Sequence, residues 1–135
     1  MKVLFVCNGN VGRSQIAEAF FNKLSTKHQA SSAGISAEQY SGKTVGEITG
    51  SAVVECAKEA GLDIASKKPK QLTPEMASKA DLIVSMEELP SFVNRSKVRF
   101  WKVKNPKGMP LDGYRLVLNQ VKALVEQLVT ELDAQ

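Results

Sequence analysis

The sequence has few cysteines and no long hydrophobic run. Its 135 residues include two cysteines, Cys7 and Cys56, which is too few for a disulfide scaffold and typical of a reducing compartment. No apolar stretch is long enough to cross a bilayer, and the one that follows Met1 is too short for a secretory signal. We therefore expect a cytoplasmic protein without a membrane partner.

The chain also lacks internal repeats, low-complexity segments and linkers. A length of 135 residues suits one domain, so we expect residues 1–135 to form a single monomeric domain. The net charge of +4 favours acidic partners. It does not indicate a nucleic acid, because no basic motif interleaved with aromatic residues is present. The basic run SKKPKQ at 66–71 is interpreted as a solvated loop.

Strand-like and helix-like segments alternate along the chain, which predicts an α/β fold with a parallel sheet covered on both faces. The strand-like segments are 2–7, 30–35, 80–86 and 98–103, and the helix-like segments are 14–24, 50–61, 73–79 and 114–132. Thr73 is a plausible N-cap of its helix. The last helix has an apolar stripe that we expect to face the core, made of Val117, Val121, Leu124, Leu128 and Leu132.

The segment CNGNVGRS, residues 7–14, joins the first predicted strand to the first predicted helix. Ligands bind at this end of a strand in parallel sheets, and a helix N-terminus offers unpaired N–H groups and a positive dipole. Arg13 adds a planar fork that matches two oxygens of a tetrahedral anion. The segment therefore predicts a phosphate-binding loop, made of Asn8, Gly9, Asn10, Val11, Gly12 and Arg13.

Cys7 lies at the base of this predicted loop, where the positive field favours a thiolate. A thiolate there is placed for in-line attack on phosphorus. The Ser14 hydroxyl can donate to the thiolate and stabilise it again when it departs. The Asn10 amide can bridge segments of the loop and hold its shape.

These residues resemble the low-molecular-weight protein tyrosine phosphatase family, which carries C-x5-R-S after a strand near its N-terminus. The resemblance continues in IAEAFF, SSAGI, EAGLDI, ADLIVSM and the spacing of FWKVKNP, and so covers almost the whole chain. It implies a three-layer, doubly wound sheet of four parallel strands in the order 2-1-3-4, with helices on both faces.

The resemblance also implies a two-step reaction that uses no metal and no cofactor. The Cys7 thiolate attacks the phosphorus of a phosphorylated protein or a small aryl phosphate, and water then hydrolyses the phosphocysteine. Arg13 holds the phosphoryl oxygens and Ser14 activates the thiolate. Asn10 and Ser32 are implied to brace the loop. Inorganic phosphate or another oxyanion is expected to bind in it.

The sequence departs from the family at the general acid, which is an aspartate before a late proline. Here Asn105 precedes Pro106, and an amide cannot donate a proton as a carboxylic acid does. Three interpretations remain open. The chain is a slow phosphatase, another carboxyl group such as Asp112 or Glu87 replaces the acid, or the chain binds phosphorylated ligands without turnover.

Further departures concern the walls of the site and its thiols. Lys107 and Gly108 follow Pro106 where the family often has aromatic residues, and Tyr40 is a candidate for the opposite wall. Gly12 stands where many relatives carry a second cysteine. Two other residues are interpreted as structural: Cys56 in the core, and the single histidine, His28, on the solvated surface.

An arsenate reductase is the alternative enzyme, because arsenate has the shape of phosphate and these reductases share the loop and the fold. Thioredoxin-coupled members need two further cysteines, which usually follow the third strand. This chain has SMEEL there, at 85–89. An arsenate reductase built on this sequence therefore requires an external thiol.

Overall fold

The computed structural model describes residues 1–49 and 52–135. The four strands are β1 (Lys2–Cys7), β2 (Gln29–Gly34), β3 (Leu82–Ser85) and β4 (Val98–Phe100). The α-helices of the described residues are α1 (Arg13–Leu24), α2 (Val45–Thr49), α3 (Ala52–Glu59), α4 (Pro74–Lys79) and α5 (Leu111–Asp133). Short 3₁₀ turns occupy Ala37–Tyr40 and Arg95–Lys97.

The sheet has the order β2-β1-β3-β4 with every pair parallel, so the predicted α/β fold and the strand order 2-1-3-4 are confirmed. β1 lies between two strands and reads as a continuous apolar run because both of its faces are covered. In the register, Cys7 lies opposite Gly34 and Val6 lies opposite Ser85. The carboxyl ends of three strands therefore meet around Cys7.

Two hydrophobic clusters cover the two faces of the sheet, as a doubly wound fold requires. Val3 and Phe5 of β1 pack into the cluster that contains the buried sides of α1, α3 and α5. The alternate residues Leu4 and Val6 pack with Ala77 of α4 on the opposite face. This alternation follows from the period of two along a strand.

Several element boundaries differ from the sequence-based ones. β4 ends at Phe100 rather than at residue 103, because the chain turns there and the Val103 N–H donates to the Trp101 carbonyl at 3.1 Å. α5 begins at Leu111 rather than at residue 114. The predicted helix over 50–61 is described from Ala52 to Glu59; its first two residues, Gly50 and Ser51, lie outside the described residues.

The caps and buried stripes mostly follow the prediction. Thr73 caps α4, since its hydroxyl accepts a hydrogen bond from the Met76 N–H at 3.2 Å. On α5, Leu124 is half-buried rather than buried, and Val125 lies in the core instead. No helix in the described ranges combines the length and the apolar character that a membrane span needs.

The prediction for His28 was wrong. Its imidazole is only 15% exposed because the ring lies between the two ends of the chain. Nδ1 is 3.0 Å from the Met1 amino group, and Nε2 is 3.1 Å from the Leu132 carbonyl of α5. His28 therefore joins the start of β1 to the end of α5.

Candidate active site

The loop from Asn8 to Gly12 crosses the carboxyl edge of the sheet and leads directly into α1. The Gly12 N-cap position has no side-chain cap, so the N–H groups of the first turn remain available to an anion. The Cys7 and Asn8 carbonyls accept hydrogen bonds from Ile35 and Ser36 at 3.1 and 2.8 Å. The segment that follows β2 thus holds the start of the loop.

Gly34 is a residue of this region that the sequence reasoning missed. A Cβ at Gly34 would lie 2.7 Å from the Asn10 nitrogen and the Asn8 oxygen. The loop therefore passes against the end of β2 at a distance that only glycine permits. The sequence shows that Gly34 follows a strand-like segment, but it does not show that this glycine lies against the loop, which is distant in the sequence.

Cys7, Ser14 and Asn10 form a buried chain of hydrogen bonds. The Asn10 amide Nδ2 donates to the Ser14 Oγ at 2.8 Å, and that oxygen is 2.9 Å from the Cys7 Sγ. Because the hydroxyl oxygen already accepts from Asn10, its own hydrogen can point at the sulfur. In that arrangement the Cys7 sulfur is the acceptor of the bond.

Asn10 is held by residues far away in the sequence. It is fully buried, with a left-handed backbone at φ 56°, and its Oδ1 accepts from the Lys70 N–H at 2.9 Å and from Gln15 Nε2 at 3.2 Å. The same Gln15 amide donates to the Lys68 carbonyl at 3.4 Å. The basic run at 66–71 is therefore a support of the loop and not only a solvated segment.

Ser32 does not brace the loop as the resemblance implied. Its hydroxyl donates to Glu18 Oε1 at 2.9 Å, because Ser32 lies two residues before the end of β2 and faces α1. The Glu18 carboxylate is also 3.9 and 3.8 Å from the amino groups of Lys67 and Lys70. Ser32 thus joins β2 to α1, and Glu18 joins α1 to the basic run.

Arg13 is almost completely buried, and its guanidinium is held by groups outside the loop. Nη1 donates to the Val103 carbonyl at 2.8 Å and to the Met86 carbonyl at 3.2 Å. Nη2 forms an ion pair with Glu87 Oε2 at 2.8 Å. These bonds orient the guanidinium beside Cys7. Glu87, a candidate for the substitute acid in the sequence, is therefore bound to Arg13 in an ion pair.

A cleft of about 420 Å³ opens over the loop. It brings together seven of the predicted site residues: Cys7, Asn8, Gly9, Val11, Gly12, Arg13 and Asn105. Asn10 and Ser14 are buried and do not line the cleft. Tyr40 lines the cleft, as proposed from the sequence, and its ring covers Gly9, where a Cβ would meet the ring at 2.9 Å.

The cleft is also lined by three residues that the sequence did not predict as part of the site, Tyr114, Ile48 and Val53. Tyr114 lies in the first turn of α5, near the start of the helix that the sequence predicts from residue 114. With Tyr40 it gives the cleft two aromatic walls, which suit a flat ring.

A comparison with known proteins identifies the family and the fold of this chain. Residues 2–135 match the family model of the low molecular weight phosphotyrosine protein phosphatases. The chain belongs to this family. The low molecular weight protein tyrosine phosphatase of T. tengcongensis is 31% identical and superposes with a TM-score of 0.82, over 97% of this chain and 99% of that one.

Two other proteins are also similar to this chain over nearly its whole length. Wzb of Vibrio vulnificus, solved in complex with benzylphosphonate, is 25% identical with a TM-score of 0.86, over 96% of this chain and 97% of that one. The glutaredoxin arsenate reductase of Synechocystis is 29% identical over 97% of this chain and 98% of its own length. The relatives of this chain therefore include a protein tyrosine phosphatase and an arsenate reductase.

Asn105, the residue that the sequence suggested for the acid position, lies at the exposed side of the cleft. Its Oδ1 accepts from the Lys107 N–H at 3.1 Å. Asp112 is 88% exposed and paired with Arg115 at 2.8 Å, and it does not line the cleft. Among the described residues that line the cleft, none carries a carboxyl group.

The second thiol lies in the core, as predicted. Cys56 is 2% exposed, and burial raises the pKa of its thiol. Both cysteines are free. Over residues 1–49 and 52–135, no cluster of three histidine, cysteine or carboxylate side chains is arranged to hold a metal ion.

Proposed function

We propose that the chain is a cysteine-dependent phosphatase that hydrolyses phosphomonoesters of the phosphotyrosine type through a phosphocysteine. The observation that carries the proposal is the Cys7 sulfur, 2.9 Å from the Ser14 hydroxyl, in a loop that ends at Arg13. A thiolate at a helix N-terminus is a nucleophile placed where an oxyanion binds. The benzylphosphonate complex of the Vibrio relative supports an oxyanion linked to an aromatic ring as the ligand class.

In the first step, a lone pair of the Cys7 sulfur forms an S–P bond while the P–O bond to the aryl group breaks. The leaving oxygen keeps the bonding electrons, and Arg13 with the loop N–H groups stabilises the phosphoryl oxygens. Asn105 can donate a hydrogen bond to the leaving oxygen from Nδ2, but it transfers no proton. The proton of the leaving group comes from water, so esters with poor leaving groups react slowly.

In the second step, water attacks phosphorus and the S–P bond breaks. The sulfur departs as a thiolate, which the Ser14 hydroxyl stabilises. The proton of the attacking water passes to bulk water, because Asn105 does not remove it as a carboxylate would. This step is therefore also slow, and the replacement of the acid affects both halves of the reaction.

The proposal is tested by steady-state hydrolysis of p-nitrophenyl phosphate, with inorganic phosphate as a competing ligand. We expect turnover in the parent protein, competitive inhibition by phosphate, and no turnover in Cys7→Ser. The Cys7→Ser variant should still bind phosphate, because the loop and Arg13 are unchanged. Parent-level activity in Cys7→Ser would rule out Cys7 as the nucleophile.

A binding protein without turnover is the second candidate. The observation that favours it is the lack of a carboxyl group among the described residues of the cleft. Such a protein would bind inorganic phosphate and phosphoproteins while releasing no phenol from an activated aryl phosphate. The same hydrolysis assay, combined with a phosphate titration, separates it from a slow phosphatase.

An arsenate reductase that uses an external thiol is the third candidate, favoured by the name of the Synechocystis relative. Reduction of arsenate to arsenite oxidises two thiols to a disulfide. Cys7 supplies one of them, and Cys56 is in the core, so a small thiol such as glutathione must supply the other. Arsenate-dependent oxidation of glutathione, lost in Cys7→Ser, would support this activity.

We also propose that residues 1–135 act as one domain, in the cytoplasm and as a monomer. One sheet runs through the described chain, and α5 near the end packs against α1 near the start. The two free thiols are typical of a reducing compartment.

A further inference from the structure

The charges that line the cleft are of one sign. Among its described lining residues, the charged ones are Arg13 and Lys107, and no carboxylate accompanies them. Arg13 is buried and already paired with Glu87. Lys107 is exposed and forms no ion pair with any residue that the structure describes. The positive charge available to a ligand at the cleft mouth is therefore that of Lys107.

A well-defined turn holds the backbone of Lys107 beside the cleft. The Asn105 side chain accepts from the Lys107 N–H at 3.1 Å, and the Met109 N–H donates to the Pro106 carbonyl at 2.9 Å. Gly108 adopts the left-handed φ of +84° that the turn requires. The α-carbon of Lys107 is thereby fixed next to Asn105, which marks the point where a leaving group would depart.

The remaining walls are uncharged and suit the body of an aromatic ester. Tyr40, Tyr114, Ile48 and Val53 provide ring and aliphatic surface. A phosphoryl group on the loop would place an attached ring between these walls. The groups that flank the ring in a peptide would then leave the cleft past the turn that carries Lys107.

We propose that Lys107 selects phosphotyrosyl peptides that carry an acidic residue next to the phosphotyrosine, which rests on the proposed phosphatase function. The lysine ammonium pairs with that flanking carboxylate at the cleft mouth. An exposed ion pair of this kind changes affinity by about threefold and weakens with salt. Lys107 acts on the choice of substrate and not on the reacting atoms.

The test compares two phosphotyrosyl peptides that differ only in a flanking Glu or Gln. We measure kcat/KM at low and high salt for the parent, for Lys107→Gln and for the matched control Lys102→Gln, which removes the same charge from an exposed residue of the same segment outside the cleft. The parent and Lys102→Gln should prefer the Glu peptide by about threefold at low salt. Lys107→Gln should treat both peptides alike.

A second measurement keeps the inference separate from the proposed function. Dissociation constants of the same peptides are determined on Cys7→Ser, with and without Lys107→Gln, so that the preference is measured even if the parent turns nothing over. Absence of p-nitrophenyl phosphate hydrolysis would contradict the phosphatase alone. An unchanged preference in Lys107→Gln, an equal loss for both peptides, or no preference in the parent would overturn the role of Lys107.

Discussion

At the scale of single residues, the hydrogen bond from Asn10 to Ser14 leaves Ser14 able to donate its own hydrogen to Cys7. Asn10 Nδ2 donates to Ser14, so the hydroxyl hydrogen is free to meet the sulfur. In the proposed reaction Asn105 has the opposite effect, because its amide does not transfer a proton as a carboxyl group does. In the proposed reaction Cys7 therefore has its hydrogen-bond partner in place, whereas the proposed acid position carries no acid.

The first prediction concerns Asn105→Asp. The new carboxyl group can protonate the leaving oxygen and later accept a proton from water, so turnover of phenyl phosphate should rise by roughly 10²–10⁴-fold. With p-nitrophenyl phosphate the rate of the nitrophenol burst should rise much less, because that leaving group needs no proton, whereas the slower release of phosphate should speed up for both esters. Asp112→Asn, which lies outside the cleft, serves as the control and should change none of these rates. No gain in Asn105→Asp would contradict its placement at the acid position.

The second prediction distinguishes the two thiols by alkylation. Iodoacetamide at neutral pH should label Cys7, and inorganic phosphate should protect it. Burial raises the pKa of the Cys56 thiol, so Cys56 stays protonated at neutral pH and its labelling should increase only in alkaline solution or on unfolding. Peptide mass spectrometry measures both sites. Equal labelling of Cys56 and Cys7 at neutral pH would contradict the buried position of Cys56.

At the scale of elements, the site depends on how segments distant in sequence meet at the sheet edge. The local part of the site could be predicted, because a strand, a glycine-bearing loop and a helix follow one another between Lys2 and Leu24. The partners of the loop could not. Met86 and Val103 lie 73 and 90 residues from Arg13, and nothing in their local sequence indicates a role for their carbonyls.

The same limit explains the incorrect expectation for Ser32. Ser32 lies near the end of β2, on the strand that the loop passes, but its hydroxyl donates to Glu18 of α1. Which side of a strand a small polar residue faces depends on the register and on the helix that covers it. The strand order followed from the family resemblance, whereas these side-chain pairings required the structure.

The third prediction concerns the contact between β2 and the loop. In Gly34→Ala the new Cβ would lie 2.7 Å from backbone atoms of Asn8 and Asn10, so the loop must shift. We expect a loss of about 1–3 kcal/mol in the free energy of unfolding and weaker phosphate binding. For the stability measurement the control is Gly12→Ala, whose Cβ meets Val53 at an ordinary 3.8 Å; it is no control for phosphate binding, because Gly12 lines the cleft. Equal stability of Gly34→Ala and the parent in urea would show that the loop does not rest on β2.

At the scale of the whole molecule, the site lies on a sheet that is held by helices packed on both faces. α5 closes one face against α1, and Phe5 of β1 contacts both Phe21 and Trp101 beneath the loop. Because β1 carries Cys7 at its end, packing of this core fixes where the nucleophile lies.

The fourth prediction measures what α5 contributes to stability. Leu128 is 3% exposed within the core, whereas Leu116 on the same helix is 72% exposed. Leu128→Ala should lower the free energy of unfolding by about 2–5 kcal/mol, and Leu116→Ala should change it by no more than about 0.5 kcal/mol. Urea unfolding followed by circular dichroism compares them. Similar losses in the two variants would contradict the buried face assigned to α5.

The central claim is that Cys7 accepts a phosphoryl group from the substrate, which gives a phosphocysteine, and that water then releases this group slowly. Rapid-mixing kinetics with an activated aryl phosphate, with phenol and free phosphate followed separately, test it most directly in the parent and in Cys7→Ser. We predict a burst of phenol in the parent, followed by slower release of phosphate, and neither product from Cys7→Ser. Phosphate binding without any phenol from the parent would contradict the claim and favour the binding protein.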